Sequence, residues 1–155
     1  MEIRPLAKAD RQPLAALLER IETFSPSERV CALELIDLGL TPQNPDYQLL
    51  VASRETGVVG YICYGPTPMT EGTFDLYWIA SDPEVRGQGV GAALVSAMEG
   101  DIRRRKGRTI RVETSAMEAY GPTRGFYAAM LYREESRFRD FYKAGEDLIV
   151  LAKRL

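Results

Sequence analysis

The sequence predicts one α/β (α+β) domain, residues 1–155, in which helices flank a mixed β-sheet. The first observation is the hydrophobic period, which changes along the chain in the order helix, helix, three strands, helix, strand, helix, two strands. The second is the length of 155 residues, which fits one core because domains typically hold about 100–200 residues. The third is that no repeat, low-complexity tract or linker divides the chain.

The chain begins with a candidate short strand at Glu2–Leu6, followed by an amphipathic helix. Asp10 is the expected N-cap of this helix, and Pro13 lies in its first turn. Apolar residues then recur at helical spacing, namely Leu14, Leu17, Leu18 and Ile21.

A second helix is predicted by a capping box. Ser25 is the expected cap, Pro26 takes the first helical position, and Glu28 completes the box. Gly39 is the expected end of this helix. Residues 41–46 form a loop by composition.

From Tyr47 onward the period changes to that of strands. Two β-rich runs, 47–53 and 58–64, are joined by a predicted hairpin turn at 54–57, and a Pro/Gly-rich break at 65–72 follows. The remaining predicted elements are a strand at 73–80, a helix at 90–106, a strand at 109–114, a helix at 122–130, and an antiparallel pair at 133–142 and 147–153.

Charge and residue usage exclude several classes of function. Twenty Lys and Arg against 22 Asp and Glu leave a net charge of −2, which argues against a globally basic nucleic-acid-binding protein. The chain has no histidine, which excludes Ser-His-Asp and Cys-His catalysis and His-ligated zinc, and we expect no metal. The cysteines, Cys31 and Cys63, form no CxxC pair and are expected to be reduced thiols.

The hydropathy pattern indicates a cytoplasmic protein without a membrane partner. No apolar run approaches the roughly 18–20 residues needed to span a bilayer. The first residues, Met1–Pro5, lack the apolar stretch of a signal peptide.

A glycine-rich loop at residues 83–92 follows a predicted strand and opens a predicted helix. It reads Pro-Glu-Val-Arg-Gly-Gln-Gly-Val-Gly-Ala. Glycine lets the backbone turn without a Cβ in the way, so several amides can point at one anion beside the positive end of the helix. With Arg86 adjoining, the natural ligand of this loop is a diphosphate.

Two other phosphate-binding loops compete with this interpretation. The triphosphate-binding pattern GxxxxGK[ST] is absent from the sequence. The dinucleotide pattern GxGxxA matches Gly87, Gly89 and Ala92, and Glu113 lies near the expected acidic position. However, residues 82–86 separate the strand from the first glycine, and the flanking hairpins leave no room for a doubly wound parallel sheet. A dinucleotide-binding enzyme is therefore a disfavoured alternative.

The loop resembles the acyl-CoA motif Arg/Gln-x-x-Gly-x-Gly/Ala of the GNAT superfamily of N-acetyltransferases, here Arg86-Gly87-Gln88-Gly89-Val90-Gly91. The resemblance extends to a strand ending in Glu113 and to Phe126-Tyr127 in a later helix. Met130-Leu131-Tyr132 stands where Leu-Gly-Phe is usual. The resemblance covers the whole chain and is strongest over 73–135. It implies a mostly antiparallel sheet that splays apart at the acyl-CoA site.

The resemblance also implies that acetyl-CoA is the co-substrate, and it assigns the contacts. Loop amides hold the pyrophosphate, and the end of the preceding strand pairs its backbone with pantetheine. Tyr120 stands where many members carry an asparagine that contacts pantetheine, with Thr114 and Ser115 as substitutes. The candidate cofactor-binding residues are Ile79, Ala80, Ser81, Arg86, Gly87, Gln88, Gly89, Val90, Gly91, Ala92 and Tyr120.

Acetyl transfer to an amine needs a base for the amine and donors for the oxyanion, and it benefits from an acid for the leaving thiolate. Without histidine, the base is a carboxylate, directly or through water, or a tyrosine. Glu113 and Asp75 are the candidates, each on a strand that enters the site. Tyr127 is the candidate acid, because a phenol of pKa about 10 can protonate a departing thiolate.

The sequence thus predicts an N-acetyltransferase that moves an acetyl group directly from acetyl-CoA to a primary amine of a small molecule or peptide. The alternative from another class is a non-catalytic acyl-CoA-binding sensor that keeps the loop without the chemistry. The balanced charge does not identify the amine. An exposed strand edge would suit either a monomer or a homodimer.

Overall fold

The computed structural model describes residues 1–44 and 46–155. The predicted loop at 41–46 includes Pro45, which lies outside the described residues. Three short 3₁₀ turns lie at Lys8–Asp10, Pro83–Val85 and Glu118–Tyr120. The helices and strands of the described residues are β1 (Glu2–Pro5), α1 (Arg11–Glu19), α2 (Pro26–Leu40), β2 (Gln48–Arg54), β3 (Gly57–Pro66), β4 (Thr73–Ser81), α3 (Val90–Arg104), β5 (Thr109–Ser115), α4 (Gly121–Ala129), β6 (Arg133–Lys143) and β7 (Glu146–Arg154).

The strands form one seven-stranded sheet in the order β1-β2-β3-β4-β5-β7-β6. Every neighbouring pair is antiparallel except β4 and β5, which are parallel and are connected through α3. The prediction of a mixed, mostly antiparallel sheet flanked by helices is therefore confirmed. The predicted hairpin turn is present too, since Arg54 pairs with Gly57 across it.

Each face of the sheet carries its own hydrophobic core, because strand side chains alternate between the two faces. One face packs against α3 and α4, and its buried residues include Phe74, Leu76, Leu94, Met98, Ile110, Val112 and Tyr127. The other face packs against α1 and α2, and its buried residues include Leu14, Leu17, Ile36, Val51, Tyr61 and Ala80. No helix in the described part of the chain has the length and apolar character needed to cross a bilayer.

The capping box of α2 is formed as predicted. The Ser25 hydroxyl accepts a hydrogen bond from the Glu28 amide at 3.1 Å, and the Glu28 carboxylate accepts one from the Ser25 amide at 3.2 Å. The helix continues through Gly39 and ends at Leu40, one residue later than predicted.

The predicted role of Asp10 as N-cap is wrong. Asp10 has helical dihedrals, and its side chain caps nothing in α1. Its carboxylate instead accepts two hydrogen bonds from Arg4, at 2.7 and 2.8 Å, and one from the Ala7 amide at 2.8 Å. The hydrogen bonds from Arg4 lower the pKa of Asp10. Asp10 therefore ties β1 to the start of α1.

Candidate active site

The sheet opens in its middle, between β4 and β5. Leu76 and Trp78 pair with consecutive residues of β3, which leaves Tyr77 as the extra residue of a β-bulge. A bulge bends its strand and increases the local twist. On the other side of β4, the parallel pairing ends at Leu76 and Val112. The remaining residues of the two strands therefore diverge, as the resemblance implied.

The backbone of β4 along this opening is partly free. The Asp82 amide donates to the Val59 carbonyl at 2.9 Å. Because backbone groups alternate in direction along an antiparallel ladder, Ala80 also directs its amide and carbonyl to β3. Ile79 and Ser81 direct theirs to the opening. Of the predicted pantetheine contacts on β4, Ile79 and Ser81 therefore have free backbone groups, and Ala80 does not.

The glycine-rich loop has the backbone of an anion site. Gly87 and Gly89 have φ of +75° and +83°, and a Cβ built on either would meet no described atom within 4 Å. Arg86 is exposed beside them, while the Gln88 amide is occupied by the Val85 carbonyl at 3.2 Å. The loop amides that donate to no group in the described chain are those of Gly87, Gly89, Val90, Gly91 and Ala92.

Two contacts from distant parts of the chain hold this loop. The buried Asp82 carboxylate at its start pairs with Arg20, the residue that follows α1, and accepts a hydrogen bond from the Glu84 amide at 3.1 Å. Burial alone would raise the pKa of Asp82, but these two hydrogen bonds lower it below the ordinary value. Arg54, at the end of β2, donates to the Gln88 side-chain oxygen at 2.6 Å.

Asp75 lies at the point where the strands part, and its carboxylate is fully engaged. One oxygen accepts a hydrogen bond from Arg111 Nε at 2.7 Å, and the other accepts one from the Thr67 hydroxyl at 2.7 Å. The residue is 7% exposed. The role of Asp75 as general base stays a prediction, and the buried, paired carboxylate is less accessible to an amine than the exposed Glu113. Its hydrogen bonds join β4 to β5.

Glu113, the other predicted base, is free. It follows Val112 on β5 and points to the α1/α2 face, opposite the core that holds Ile110 and Val112. The side chain is exposed, and no described residue forms a hydrogen bond or an ion pair with it. Glu113 is therefore the carboxylate at the opening that can accept a proton.

Two tyrosines lie near carboxylates in this region, Tyr142 near Glu113 and Tyr120 near Glu28 and Glu146. Burial raises the pKa of Tyr142 on β6, and the nearby carboxylate of Glu113 raises it further. Burial also raises the pKa of Tyr120, and the carboxylates of Glu28 and Glu146 add to this shift. Side chains from α2, β5, β6, β7 and the turn before α4 thus converge here. No group of His, Cys, Asp or Glu side chains among the described residues is arranged to hold a metal.

Tyr127, the predicted acid, lies on the opposite face. It is 3% exposed, and its ring packs against Phe126 and Tyr132 at centroid distances of 5.3 and 5.6 Å. Phe126 in turn contacts the first turn of α3, where a Cβ on Gly91 would lie 3.2 Å from the ring. The Tyr127 hydroxyl bonds to no described group, yet it is not wholly enclosed. Burial raises the pKa of this phenol, which keeps it protonated.

The sequence analysis missed the residues that hold the site in place. Arg20, Arg54 and Thr67 act through contacts between segments far apart in sequence, for which the chain carries no local signal. Arg111 had a signal, because it lies two residues before Glu113 and therefore on the same face of a strand.

Comparisons with known proteins agree with this geometry. Residues 45–134 match the family model of the acetyltransferase (GNAT) domain. A GNAT-family crystal structure from Desulfovibrio desulfuricans is 36% identical, with a TM-score of 0.94 over 99% of this chain and 98% of that chain. No curated protein matches the sequence.

Two more distant solved structures share the fold. The ribosomal-protein-S18-alanine N-acetyltransferase of Escherichia coli is 21% identical, with a TM-score of 0.77 over 99% of this chain and 92% of that chain. An aminoglycoside 6′-N-acetyltransferase complexed with coenzyme A is 19% identical, with a TM-score of 0.78 over 99% and 97%.

We expect Arg20→Gln to lower the melting temperature by about 2–4 °C at neutral pH, the effect of about 1 kcal/mol in a domain of this size. The pKa of Asp82 is lowered in the folded state, so its ion pair stabilises the fold above the ordinary value of 3.8 and is lost as the pH falls through the folded-state pKa. The difference between wild type and variant should therefore close as the pH falls below 3.8 and through the folded-state pKa.

Thermal melts between about pH 7 and pH 2.5 measure this difference. Arg11→Gln is the matched control, because it removes an exposed ion pair with Asp37 and should change little at any pH. A loss for Arg20→Gln that persists at the acid end would mean that Arg20 acts by packing alone.

Proposed function

Because this chain belongs to the GNAT acetyltransferase family, we propose that it is an acetyl-CoA-dependent N-acetyltransferase acting on a primary amine of a small molecule or a peptide. The observation that carries the proposal is the set of free amides in the loop of residues 87–92, placed at the mouth of the opening between β4 and β5. Such amides at a helix N-terminus bind phosphate groups.

Acetyl-CoA would bind with its pyrophosphate on these amides and its pantetheine along β4. The free backbone groups of Ile79 and Ser81 offer hydrogen bonds to the pantetheine amides, much as a neighbouring strand would. The thioester would then lie between β4 and β5. A solved structure of the same fold is complexed with coenzyme A, which supports acetyl-CoA as the co-substrate.

The acceptor amine would approach from the α1/α2 face. Glu113 first takes one proton from the ammonium, directly or through one water, and the neutral nitrogen then attacks the thioester carbonyl carbon. The second proton passes from the nitrogen to solvent as the tetrahedral intermediate collapses. Amines are cationic near neutral pH, so the carboxylates of Glu28, Glu113 and Glu146 attract the acceptor to this face. No histidine is needed.

The thiolate would leave on the α3/α4 face. As the C–S bond breaks, the Tyr127 hydroxyl donates its proton to the sulfur, and the phenol later regains a proton from solvent. Burial raises the pKa of Tyr127, so the phenol still carries its proton when the C–S bond breaks, and its hydroxyl is unpartnered within the described chain.

The state of the two cysteines fits an acetyltransferase that works in the cytoplasm. Cys31 and Cys63 are free thiols, which favours a reducing, cytoplasmic location.

Acetyl-CoA is expected to stabilise the fold, whereas NAD is not. A ligand at 100 times its Kd adds about 2.7 kcal/mol, which raises the melting temperature by about 5–10 °C in a domain of this size. Gly89→Val should abolish this shift without unfolding the protein, because a β-branched residue resists a φ of +83° and fills the space at the loop. Differential scanning fluorimetry measures the melting temperatures of wild type and Gly89→Val with and without each ligand. A larger shift with NAD than with CoA would favour a dinucleotide-binding enzyme.

Glu113→Gln should lower kcat by about 10²–10⁴-fold if Glu113 is the base. The loss should shrink as the pH approaches the pKa of the acceptor amine, about 10, because the amine then deprotonates without help. Free-thiol release from acetyl-CoA with a panel of amines and peptides measures turnover, and mass spectrometry identifies the product. Glu118→Gln, an exposed neighbour in the following turn, is the control. Thiol release that fails with every acceptor would favour a non-catalytic sensor.

Tyr127→Phe should also lower kcat by about 10²–10⁴-fold and should leave the KM for acetyl-CoA nearly unchanged, because the hydroxyl acts only as the C–S bond breaks. The loss should be smaller with an acyl donor whose thiol leaves more readily. A change of less than about threefold would make Tyr127 a packing residue only.

A further inference from the structure

A charged network is buried beneath α3, on the face that holds Tyr127. The Glu99 carboxylate is 5% exposed and accepts hydrogen bonds from Lys153 Nζ at 2.9 and 3.0 Å and from the Tyr132 hydroxyl at 3.1 Å. The Lys153 ammonium also lies 5.6 Å from the centre of the Tyr132 ring. Well-packed apolar side chains would often stabilise a core as well as a buried ion pair does. Stability alone therefore does not explain why these charged side chains are buried here.

Tyr132 is the member of this network that reaches Tyr127. The two rings meet edge to face, with centroids 5.6 Å apart and planes at 61°. The Tyr132 amide also donates to the Tyr127 carbonyl at 2.9 Å. Between them, Leu131 has a φ of +70°, a left-handed conformation that is costly for leucine and that turns the chain back under α4. Tyr132 thus contacts Tyr127 through both its ring and its backbone amide.

Tyr127 needs such support because nothing else orients its hydroxyl. That hydroxyl forms no hydrogen bond within residues 1–44 and 46–155, so the direction of the phenol depends on how its ring is packed. The rings of Phe126 and Tyr132 both pack against it. A phenylalanine at position 132 would fill the same space, but it would lack the hydrogen bond that fixes the ring to Glu99.

We propose that Tyr132, held by Glu99 and Lys153, is a positioning residue that aims the Tyr127 hydroxyl at the departing sulfur. The inference rests on the proposed role of Tyr127 as acid. A displacement of about 1 Å in a catalytic group can cost as much as 10²-fold in rate, so a modest loosening of the Tyr132 ring is enough to matter.

The test is a double-mutant cycle of Tyr132→Phe and Tyr127→Phe. Tyr132→Phe should lower kcat about 10-fold and leave the KM for acetyl-CoA unchanged. In the Tyr127→Phe background, the same change should have almost no effect on kcat, since there is no hydroxyl left to aim. A purely structural role would lower kcat equally in both backgrounds.

Tyr64→Phe is the matched control. The Tyr64 hydroxyl donates to Asp101, also on α3, at 2.7 Å, and the residue is buried in the same core but does not contact Tyr127. Its loss should lower the melting temperature about as much as Tyr132→Phe does and leave kcat unchanged.

The outcomes separate this inference from the function on which it rests. Equal losses in both backgrounds, or an unchanged kcat in Tyr132→Phe, would overturn the positioning role while acetyl transfer stands. If wild type transfers no acetyl group, or if Tyr127→Phe keeps full turnover, the proposed chemistry fails and the positioning role fails with it.

Discussion

The parallel ladder between β4 and β5 ends after one short stretch, and the site is built around that end. Just before it, Arg111 forms an ion pair with Asp75 across the two strands, and the buried Asp75 carboxylate accepts a second hydrogen bond from Thr67. Just after it, the bulge at Tyr77 bends β4 away. Loss of Arg111 would leave the buried Asp75 carboxylate without its charged partner, which is strongly destabilising. The ion pair thus holds the strands together up to the point where they part.

The opening connects the two faces of the sheet, and the proposed chemistry uses both. In direct transfer the amine adds to the thioester carbonyl carbon and the thiolate then leaves the tetrahedral intermediate, so the base acts on the nitrogen and the acid acts on the sulfur. Glu113 points to the α1/α2 face, while Tyr127 belongs to the α3/α4 core. A closed sheet would keep these groups apart. The loop amides lie at the edge of the same opening, where they would hold the pyrophosphate without occupying either face.

Local signals in the sequence predicted much of the fold and part of the candidate site. The features that were not predicted depend on contacts between segments far apart in the chain. The capping box of Ser25, the strand periods and the glycine-rich loop were predicted correctly because each depends on a few consecutive residues. The hydrogen bonds of Asp10 and Asp75 could not be predicted, because each carboxylate accepts from an arginine of another element, Arg4 and Arg111. The bulge at Tyr77 has no counterpart in the alternation of residue types, so the detailed course of β4 could not be predicted.

Environment explains how two ordinary side chains could divide acid and base chemistry without a histidine. A carboxylate in water is ionised near neutral pH and can accept a proton. Glu113 has that surrounding, since it is exposed and free of partners among the described residues. A phenol out of water resists ionisation, and burial raises the pKa of Tyr127. Opposite surroundings on the two faces thus favour opposite roles. The buried Tyr127 hydroxyl has no hydrogen-bond partner among the described residues, so only the packing of its ring can orient it. Tyr132, held by Glu99, would supply that packing.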